Sequence, residues 1–216
     1  MSDEHHQESF WTKYIFSQDH KWIGIQYGVT ALFFMLLGFV LMIVMRYQHV
    51  HSGTISPDTY NSFGAMHGTI MVFLGIVPVI VGAYGNYLVP LQVGAPDMAF
   101  PKLNMASYWT YFLGGVTMLY GFTLPGGAAN SGWTSYPPLA DIATTGQTVW
   151  LIGMIFLITS SLLGSVNIIV TIVQLRAPGL TWMRLPFWGW AHLVTSFLLL
   201  RAFPPVEGAG IIQVME

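Results

Sequence analysis

The stretch "AMHGTIMVFLGIV" at residues 65–77 lies inside a run, 59–96, that contains no Asp, Glu, Lys or Arg. Four more charge-free runs cover residues 22–45, 103–140, 142–175 and 185–200. A helix of about 20 apolar residues crosses the hydrocarbon core of a bilayer, and most of these runs are at least that long. The sequence therefore predicts an all-α, polytopic helical membrane protein.

The composition agrees with this prediction and excludes several classes of protein. Only 7% of the 216 residues are charged and 54% are hydrophobic, whereas soluble domains average about 25% charged residues. The chain has no cysteine, which rules out disulfides and thiolate metal ligands. A net charge of −2 gives no indication of a nucleic-acid partner, so membrane lipid is the expected surrounding.

The charge-free runs predict about five transmembrane helices behind a polar N-terminal tail, residues 1–21. The tail has no apolar core of the signal-peptide kind, so the first helix is expected to remain in the mature chain. Pro90, Pro96 and Pro101 are expected to break the chain after the second helix. The predicted transmembrane domain, residues 22–216, contains helices at roughly 22–46, 60–88, 104–124, 147–174 and 186–212.

The basic residues predict the orientation of the chain. Arg46 and Arg201 are expected at helix ends on one side of the membrane. Five basic residues fall on the other side: Lys13, Lys21, Lys102, Arg176 and Arg184. Cytoplasmic loops carry the excess of Lys and Arg, so the N-terminus is predicted to be cytoplasmic.

His67 is an ionisable group inside an apolar run, about two turns or roughly 10 Å from the outer end of the second helix. Its face of the helix also carries small or soft residues: Gly64, Gly68, Met71, Gly75 and Gly82. A glycine stripe lets a neighbouring backbone or a flat macrocycle approach closely, and imidazole is a common axial ligand of haem iron. The alternative is a buried His bonded across helices, with the glycines serving helix packing alone.

Two further residues near the outer side have two explanations each. Arg46 ends the first helix, where its side chain either extends to the lipid headgroups or faces a polar group of a cofactor. Trp133, in a Gly-rich loop, is either an interface anchor or a contact for electron entry. The residue types alone do not decide between these alternatives.

Polar residues follow a line at the opposite, cytoplasmic side of the predicted bundle. Amides and hydroxyls can hold a chain of waters, and a carboxylate at its mouth, Asp97, can collect protons. The alternatives are hydrogen bonding between helices and, for Asp97, a turn or capping role. The other members of the line are Asn86, Asn104, Ser160, Ser161 and Asn167.

Several motifs resemble subunit I of the haem-copper terminal oxidases, in order and in spacing, from about residue 16 onward. They are "DHKWIGIQY" (19–27), "MHGTIMVF" (66–73), "GNYLVPLQVGAPDMAFPKLN" (85–104), "SGWTSYPPL" (131–139), "SSLLGSVN" (160–167) and "RAPGLTWMRLPFWGW" (176–190). The resemblance is greatest to the cytochrome c oxidase branch, although quinol oxidases share most of these motifs.

The resemblance implies a role for each matching residue. His67 matches one axial ligand of the low-spin haem, and Arg46 matches the Arg that contacts the formyl group of an a-type haem. Trp133 matches the loop Trp near the electron-entry side, and Asp97 matches the entrance of a proton pathway. Residues that match the lining of that pathway are Tyr27, Asn86, Asn104, Ser160, Ser161 and Asn167.

The resemblance also implies groups that these 216 residues do not contain. Family members have about twelve helices, and the second axial His, the copper ligands and the ligand of the oxygen-binding haem lie downstream. No catalytic residue is therefore expected in this chain, and the second haem and copper are expected only with the missing helices. The implied partners are the remainder of subunit I, subunit II with its copper A centre, subunit III and cytochrome c, in a bacterial inner membrane.

Two positions depart from the family pattern. Gln48 stands near the place where some members have a Glu for a structural cation. Arg201 stands where an aliphatic residue is usual, and it is expected either to reach the outer interface or to pair with Glu207. That pairing would require Pro204 and Pro205 to bend the fifth helix.

Three hypotheses follow. The first is an oxidase component that is inactive as this fragment alone, passing electrons through the low-spin haem while protons enter at Asp97. The second is a truncated, non-catalytic five-helix subunit with a structural or haem-carrying role. The third is a passive channel or transporter, which predicts no bound haem.

Overall fold

The computed structural model describes residues 9–215, so part of the predicted tail 1–21 lies outside the described residues. Within that range the chain forms long helices joined by loops and short helical turns, with no strand, which confirms the all-α prediction. The five long helices are α1 (His20–Val50), α2 (Pro57–Val93), α3 (Pro101–Tyr120), α4 (Thr145–Gln174) and α5 (Phe187–Met215).

The helices have the length and surface of a membrane protein. Among residues 9–215, α1, α2, α4 and α5 are long and apolar enough to cross a membrane. Their outer faces expose large apolar side chains, such as Val29, Leu32 and Phe33 on α1. Soluble monomers rarely expose contiguous apolar surface of this kind. The polytopic helical fold class is therefore confirmed.

The second helix is longer than predicted, because Pro90 lies inside it. α2 continues to Val93 and ends at Gly94, whose φ of +73° suits glycine. The predicted break at Pro90 is wrong. Proline cannot donate to the carbonyl four residues earlier, here Asn86, and that carbonyl is instead 2.9 Å from the Nδ1 atom of His20 on α1.

Pro78 is accommodated in the same way near the middle of α2. The backbone forms wide, π-type turns over Ile70–Ile76 and Pro78–Gly85, and Pro78 leaves the carbonyl of Leu74 without its usual helical donor. The hydroxyl of Tyr111 on α3 donates to this carbonyl at 2.7 Å. Both prolines are tolerated because a neighbouring helix satisfies the freed oxygen, as a membrane interior requires.

Glycines of α2 bring it close to α1. A Cβ atom at Gly75 would lie 2.5 Å from Cγ of Met35, and one at Gly82 would lie 2.6 Å from Cδ1 of Tyr27. Real Cβ atoms do not approach other atoms so closely, so these two positions require glycine. Of the two explanations of the glycine stripe, helix packing therefore accounts for Gly75 and Gly82.

The expectations for Arg201 are corrected. Arg201 lies near the middle of α5 and is exposed, rather than at a helix end. Glu207 does not serve as its partner, because its Oε1 atom contacts the hydroxyl of Thr159 on α4 at 2.5 Å. α5 continues as one helix through Pro204 and Pro205.

Candidate functional site

His67 is held by a hydrogen bond to the backbone of α1. The side chain is half-buried, and its Nδ1 atom lies 2.8 Å from the carbonyl oxygen of Gly38. A carbonyl can only accept, so Nδ1 carries a hydrogen, and in the neutral form of an imidazole the other ring nitrogen, Nε2, has the free lone pair. Nε2 has no hydrogen-bond partner among residues 9–215. Metal-ligating histidines are commonly oriented by such a bond from the other ring nitrogen.

The contact between His67 and α1 depends on the lack of a side chain at Gly38. A Cβ atom there would lie 2.8 Å from Sδ of Met71 and 3.2 Å from Cγ2 of Ile70. Glycine therefore lets α2 approach until the imidazole reaches the carbonyl. Met71, a predicted cofactor neighbour, packs against α1 at this point.

Three predicted cofactor residues come together in an open groove beside the N-terminal part of α2. The groove has a volume of about 520 Å³, and Gly64, Gly68 and Trp133 line it. Trp133 is 59% exposed, and its ring centroid is 6.0 Å from that of Phe73. The remaining lining residues are Tyr60, Asn61, Ala65, Asn130, Ser131, Gly132 and Leu139.

Arg46 lies on the same half of the bundle as His67. It is exposed, and it follows Gly38 by about two helical turns, roughly 12 Å along α1. Its role towards a cofactor stays a prediction. Two residues later, the side-chain oxygen of Gln48 accepts a hydrogen bond from the backbone of Ile55 at 3.0 Å, which closes the turn after α1.

Asp97 lies in the loop between α2 and α3, at the opposite end of the bundle. The backbone N–H of Met98 donates to its carboxylate at 2.6 Å. Burial raises the pKa of the Asp97 carboxyl above its usual value, while the Met98 N–H and the nearby imidazole of His20 act in the opposite direction. The carboxyl therefore accepts a proton more readily than an exposed Asp.

The loop that carries Asp97 is fixed to α4. Asn167 is fully buried; its side-chain oxygen accepts from the N–H of Phe100 at 2.9 Å, and its amide donates to the carbonyl of Phe100 at 3.1 Å. Thr171 accepts from the N–H of Ala99 at 2.9 Å. The amide of Asn167, predicted to line a proton pathway, thus holds the loop backbone in place.

Two buried amides of the predicted proton path have side-chain atoms without protein partners. Asn86 is 4% exposed and Asn104 is 1% exposed. The side-chain oxygen of each, together with the side-chain nitrogen of Asn104, makes no hydrogen bond within the described part of the chain. Buried polar atoms are normally satisfied by protein or by ordered water, so these three atoms favour water at this place.

A cluster of hydroxyl groups continues the polar line towards the middle of the bundle. The hydroxyl of Tyr27 lies 3.1 Å from Oγ of both Ser107 and Ser160. Ser160 donates to the carbonyl of Ser107 at 2.6 Å, and Ser107 donates to that of Asn104 at 2.7 Å. The bonds connect α1, α3 and α4.

A cavity of about 110 Å³ adjoins this cluster. Its polar lining comes from Tyr27, Asn86, Ser107, Ser160 and Ser161. A polar cavity of this size is large enough to hold water. Of the predicted pathway residues, four line the cavity, Asn104 adjoins it through Ser107, and Asp97 and Asn167 lie at the end of the bundle.

Sequence reasoning missed two members of this polar line. Ser107 lies three residues after Asn104, hence on the same face of α3, and that spacing was a usable signal. The second is His20 at the start of α1, which is 2% exposed and bonded to α2. Nothing local predicts that contact, since it depends on the carbonyl that Pro90 leaves free.

The fold and the site define a class of protein: a polytopic helical membrane protein with an oriented imidazole at one end and a polar, water-sized cavity towards the other. Residues 22–216 match the family model described as Cytochrome C and Quinol oxidase polypeptide I, and the chain belongs to that family.

Curated relatives agree with this assignment. Cytochrome c oxidase subunit 1 of Thermostichus vulcanus is 47% identical over 98% of this chain and 39% of its own length. A probable cytochrome c oxidase subunit 1-alpha of Streptomyces avermitilis is 41% identical over 91% of this chain and 35% of its own length. An alternative cytochrome c oxidase subunit 1 of Bradyrhizobium diazoefficiens is 40% identical over 98% of this chain and 37% of its own length. The chain thus spans little more than a third of the length of the relatives that it matches.

Proposed function

We propose that this chain forms part of the catalytic subunit of a respiratory terminal oxidase, which passes electrons from cytochrome c to oxygen and takes up protons. The observation that carries the proposal is the orientation of His67, whose Nδ1 bonds the carbonyl of Gly38 at 2.8 Å. This bond leaves Nε2 for a metal, and the relatives carry the names of cytochrome c oxidase subunits.

The haem in this proposal is a low-spin, a-type haem, and this chain would supply one ligand of its iron. His67 would bind the iron through Nε2, and Arg46, Gly64, Gly68, Met71 and Trp133 would surround the macrocycle. When bound, the haem supplies the one-electron redox chemistry. The chain contributes the tautomer and direction of the imidazole, which the carbonyl of Gly38 determines. The second axial ligand, the second haem and copper would come from the rest of subunit I.

The polar line from Asp97 would deliver protons. Asp97 would take up a proton at the loop, where burial raises the pKa of its carboxyl. The unpartnered amide atoms of Asn104 and Asn86 would bond waters beyond it. The hydroxyls of Tyr27 and Ser160 would continue the chain of hydrogen bonds to the cavity. Ser161 lines the cavity, and Asn167 would hold the entrance loop.

The same proposal includes the surroundings of the chain. It would lie in a bacterial inner membrane with a cytoplasmic N-terminus, so that Asp97 faces the cytoplasm. Its partners would be the remainder of subunit I, subunits II and III, and cytochrome c as electron donor.

A reduced-minus-oxidised visible spectrum of the purified membrane complex tests the proposal. We expect an a-type low-spin haem signal in the wild type and its loss in His67→Leu. His49→Leu is the matched control, because His49 is exposed and bonds only the hydroxyl of Tyr60 among residues 9–215. A normal signal in His67→Leu would show that His67 is not the ligand. A wild-type complex without any haem band would favour a channel or transporter.

A further inference from the structure

The segment that precedes α1, residues 10–16, exposes large apolar side chains although it belongs to a polar tail. Phe10 is 62% exposed, Trp11 is 63% exposed and Phe16 is 50% exposed. Lys13 is the only charged residue of the segment. Aromatic rings together with a basic residue are typical of the boundary between the hydrocarbon core and the headgroups of a bilayer.

The side chain of Gln26 holds this segment against α1. Its Nε2 atom donates to the carbonyl of Tyr14 at 2.7 Å and to that of Ile15 at 2.8 Å. The ring of Tyr14 also meets that of Trp22 edge to face, with the centroids 4.7 Å apart. The chain therefore lies alongside the first two turns of α1 and then returns to the start of the helix at His20.

The depth of Gln26 places the segment below the end of α1. Gln26 is the seventh residue of α1, about 9 Å from the start of the helix. The 31 residues of α1 span about 46 Å, so a centred helix extends beyond a hydrocarbon core of roughly 30 Å by about 8 Å at each end. The carbonyls that Gln26 bonds thus lie close to the hydrocarbon boundary, where a backbone oxygen needs a protein donor.

The segment lies on the outside of the bundle. Trp22 and Gln26 are four residues apart, and their face of α1 continues through Val29 and Phe33. Val29 is 65% exposed and Phe33 is 54% exposed. Because the same face is uncovered beyond the segment, the segment adjoins the apolar outer surface of α1.

A contact with α3 agrees with this position. The ring of Phe16 stacks on that of Trp109, with the centroids 5.1 Å apart and the planes at 28°. Trp109 is the ninth residue of α3, about 12 Å from its start. Leu113, one turn further on the same face, is 50% exposed. The segment thus continues the apolar outer surfaces of two helices that start at the same end of the bundle.

We propose that residues 10–16 form a lipid-binding segment that Gln26 holds in the boundary of one leaflet. The rings of Phe10, Trp11 and Phe16 enter the acyl region, and Lys13 extends along its stem to the headgroup phosphates. The continuity with the exposed faces of α1 and α3 favours lipid as the occupant. Only the assignment of the leaflet to the cytoplasmic side rests on the proposed function.

Spin labelling of the membrane complex, reconstituted in vesicles of phosphatidylcholine and phosphatidylglycerol, tests the position of the segment. This chain has no cysteine, so Trp11→Cys provides one labelling site in it, and the signal of the wild-type complex is subtracted. Oxygen concentrates in lipid, whereas a charged nickel chelate stays in water. We expect the label to collide often with oxygen and rarely with the chelate, as in the lipid reference Val29→Cys. The exposed loop reference Asp141→Cys should show the reverse.

Frequent collision of the Trp11→Cys label with the chelate would place the segment in water. Rare collision with both reagents would place the segment against a protein, and either result would overturn the proposal. Neither measurement uses haem, so lipid contact together with an absent haem signal would leave this segment valid and reject the oxidase function.

A second substitution tests whether Gln26 holds the segment. Gln26→Ala removes both hydrogen bonds to the segment, so collision of the label at position 11 with the chelate should rise several-fold. Gln18→Ala is the matched control, because Gln18 is exposed and makes no bond to the segment within the described part of the chain. Equal collision rates in Gln26→Ala and Gln18→Ala would refute the role of Gln26.

Discussion

Replacing Gly38 by alanine is the sharpest test of how the backbone orients His67. The added Cβ would lie 2.8 Å from Sδ of Met71 and 3.2 Å from Cγ2 of Ile70. Relief of such overpacking typically costs about 1–3 kcal/mol, and moving α2 outward lengthens the 2.8 Å bond between His67 and the carbonyl of residue 38. The loss of one hydrogen bond contributes about 1 kcal/mol more.

The expected consequence is weaker binding of haem rather than loss of the fold. Loss of the bond that orients a ligating His typically reduces metal affinity by about 10–100-fold. The assay is the haem content of the purified complex, read from its low-spin absorption during titration with haem. Gly28→Ala is the matched control on α1, because its Cβ would lie 3.4 Å from Cβ of Ala83, an ordinary contact.

A second substitution separates steric pressure from other causes. Met71→Ala in the Gly38→Ala background removes the nearest obstructing atoms, so haem affinity should rise to that of Met71→Ala alone, which is the control for the loss of a predicted haem neighbour. Wild-type affinity in Gly38→Ala would refute the reasoning, as would an equal loss in Gly28→Ala.

Two further predictions concern the proton path. Burial raises the pKa of the Asp97 carboxyl, so the folded state holds the carboxyl proton more tightly than the unfolded state does. The free energy of unfolding therefore falls as the pH rises above the usual pKa of an Asp. Thermal unfolding at several pH values should show that Asp97→Asn lacks this fall, and proton-uptake kinetics should be slower with haem content unchanged. An identical pH profile in both proteins would contradict the assignment. Tyr27→Phe removes a hydroxyl that lies between two serines. It should lower the free energy of unfolding by about 1 kcal/mol and slow proton uptake. Unchanged uptake kinetics would argue against a role for this hydroxyl.

The members of the candidate site could be named from the sequence because polar residue types are conspicuous in an apolar chain. His67 and Asp97 were singled out by their cost in a membrane, and Asn86, Ser160 and Ser161 were expected along one polar line. Asn86, Ser160 and Ser161 line the cavity, whereas the roles of His67 and Asp97 stay predictions. The donor to a particular oxygen was not predictable, since His20 and Tyr111 bond carbonyls that prolines leave free on another helix.

The sequence by itself determined the helical membrane fold, because the length and apolarity of each charge-free run are local properties and each run satisfies its own backbone hydrogen bonds. Only the tertiary structure decided that Pro90 lies within α2, that Gly38 bonds His67, and that Glu207 contacts Thr159 instead of Arg201. The physical reason is that these outcomes depend on which helix faces come together. An unpaired oxygen or carboxyl in an apolar surrounding takes the donor that packing brings within 3 Å, and that donor is often far away in the chain.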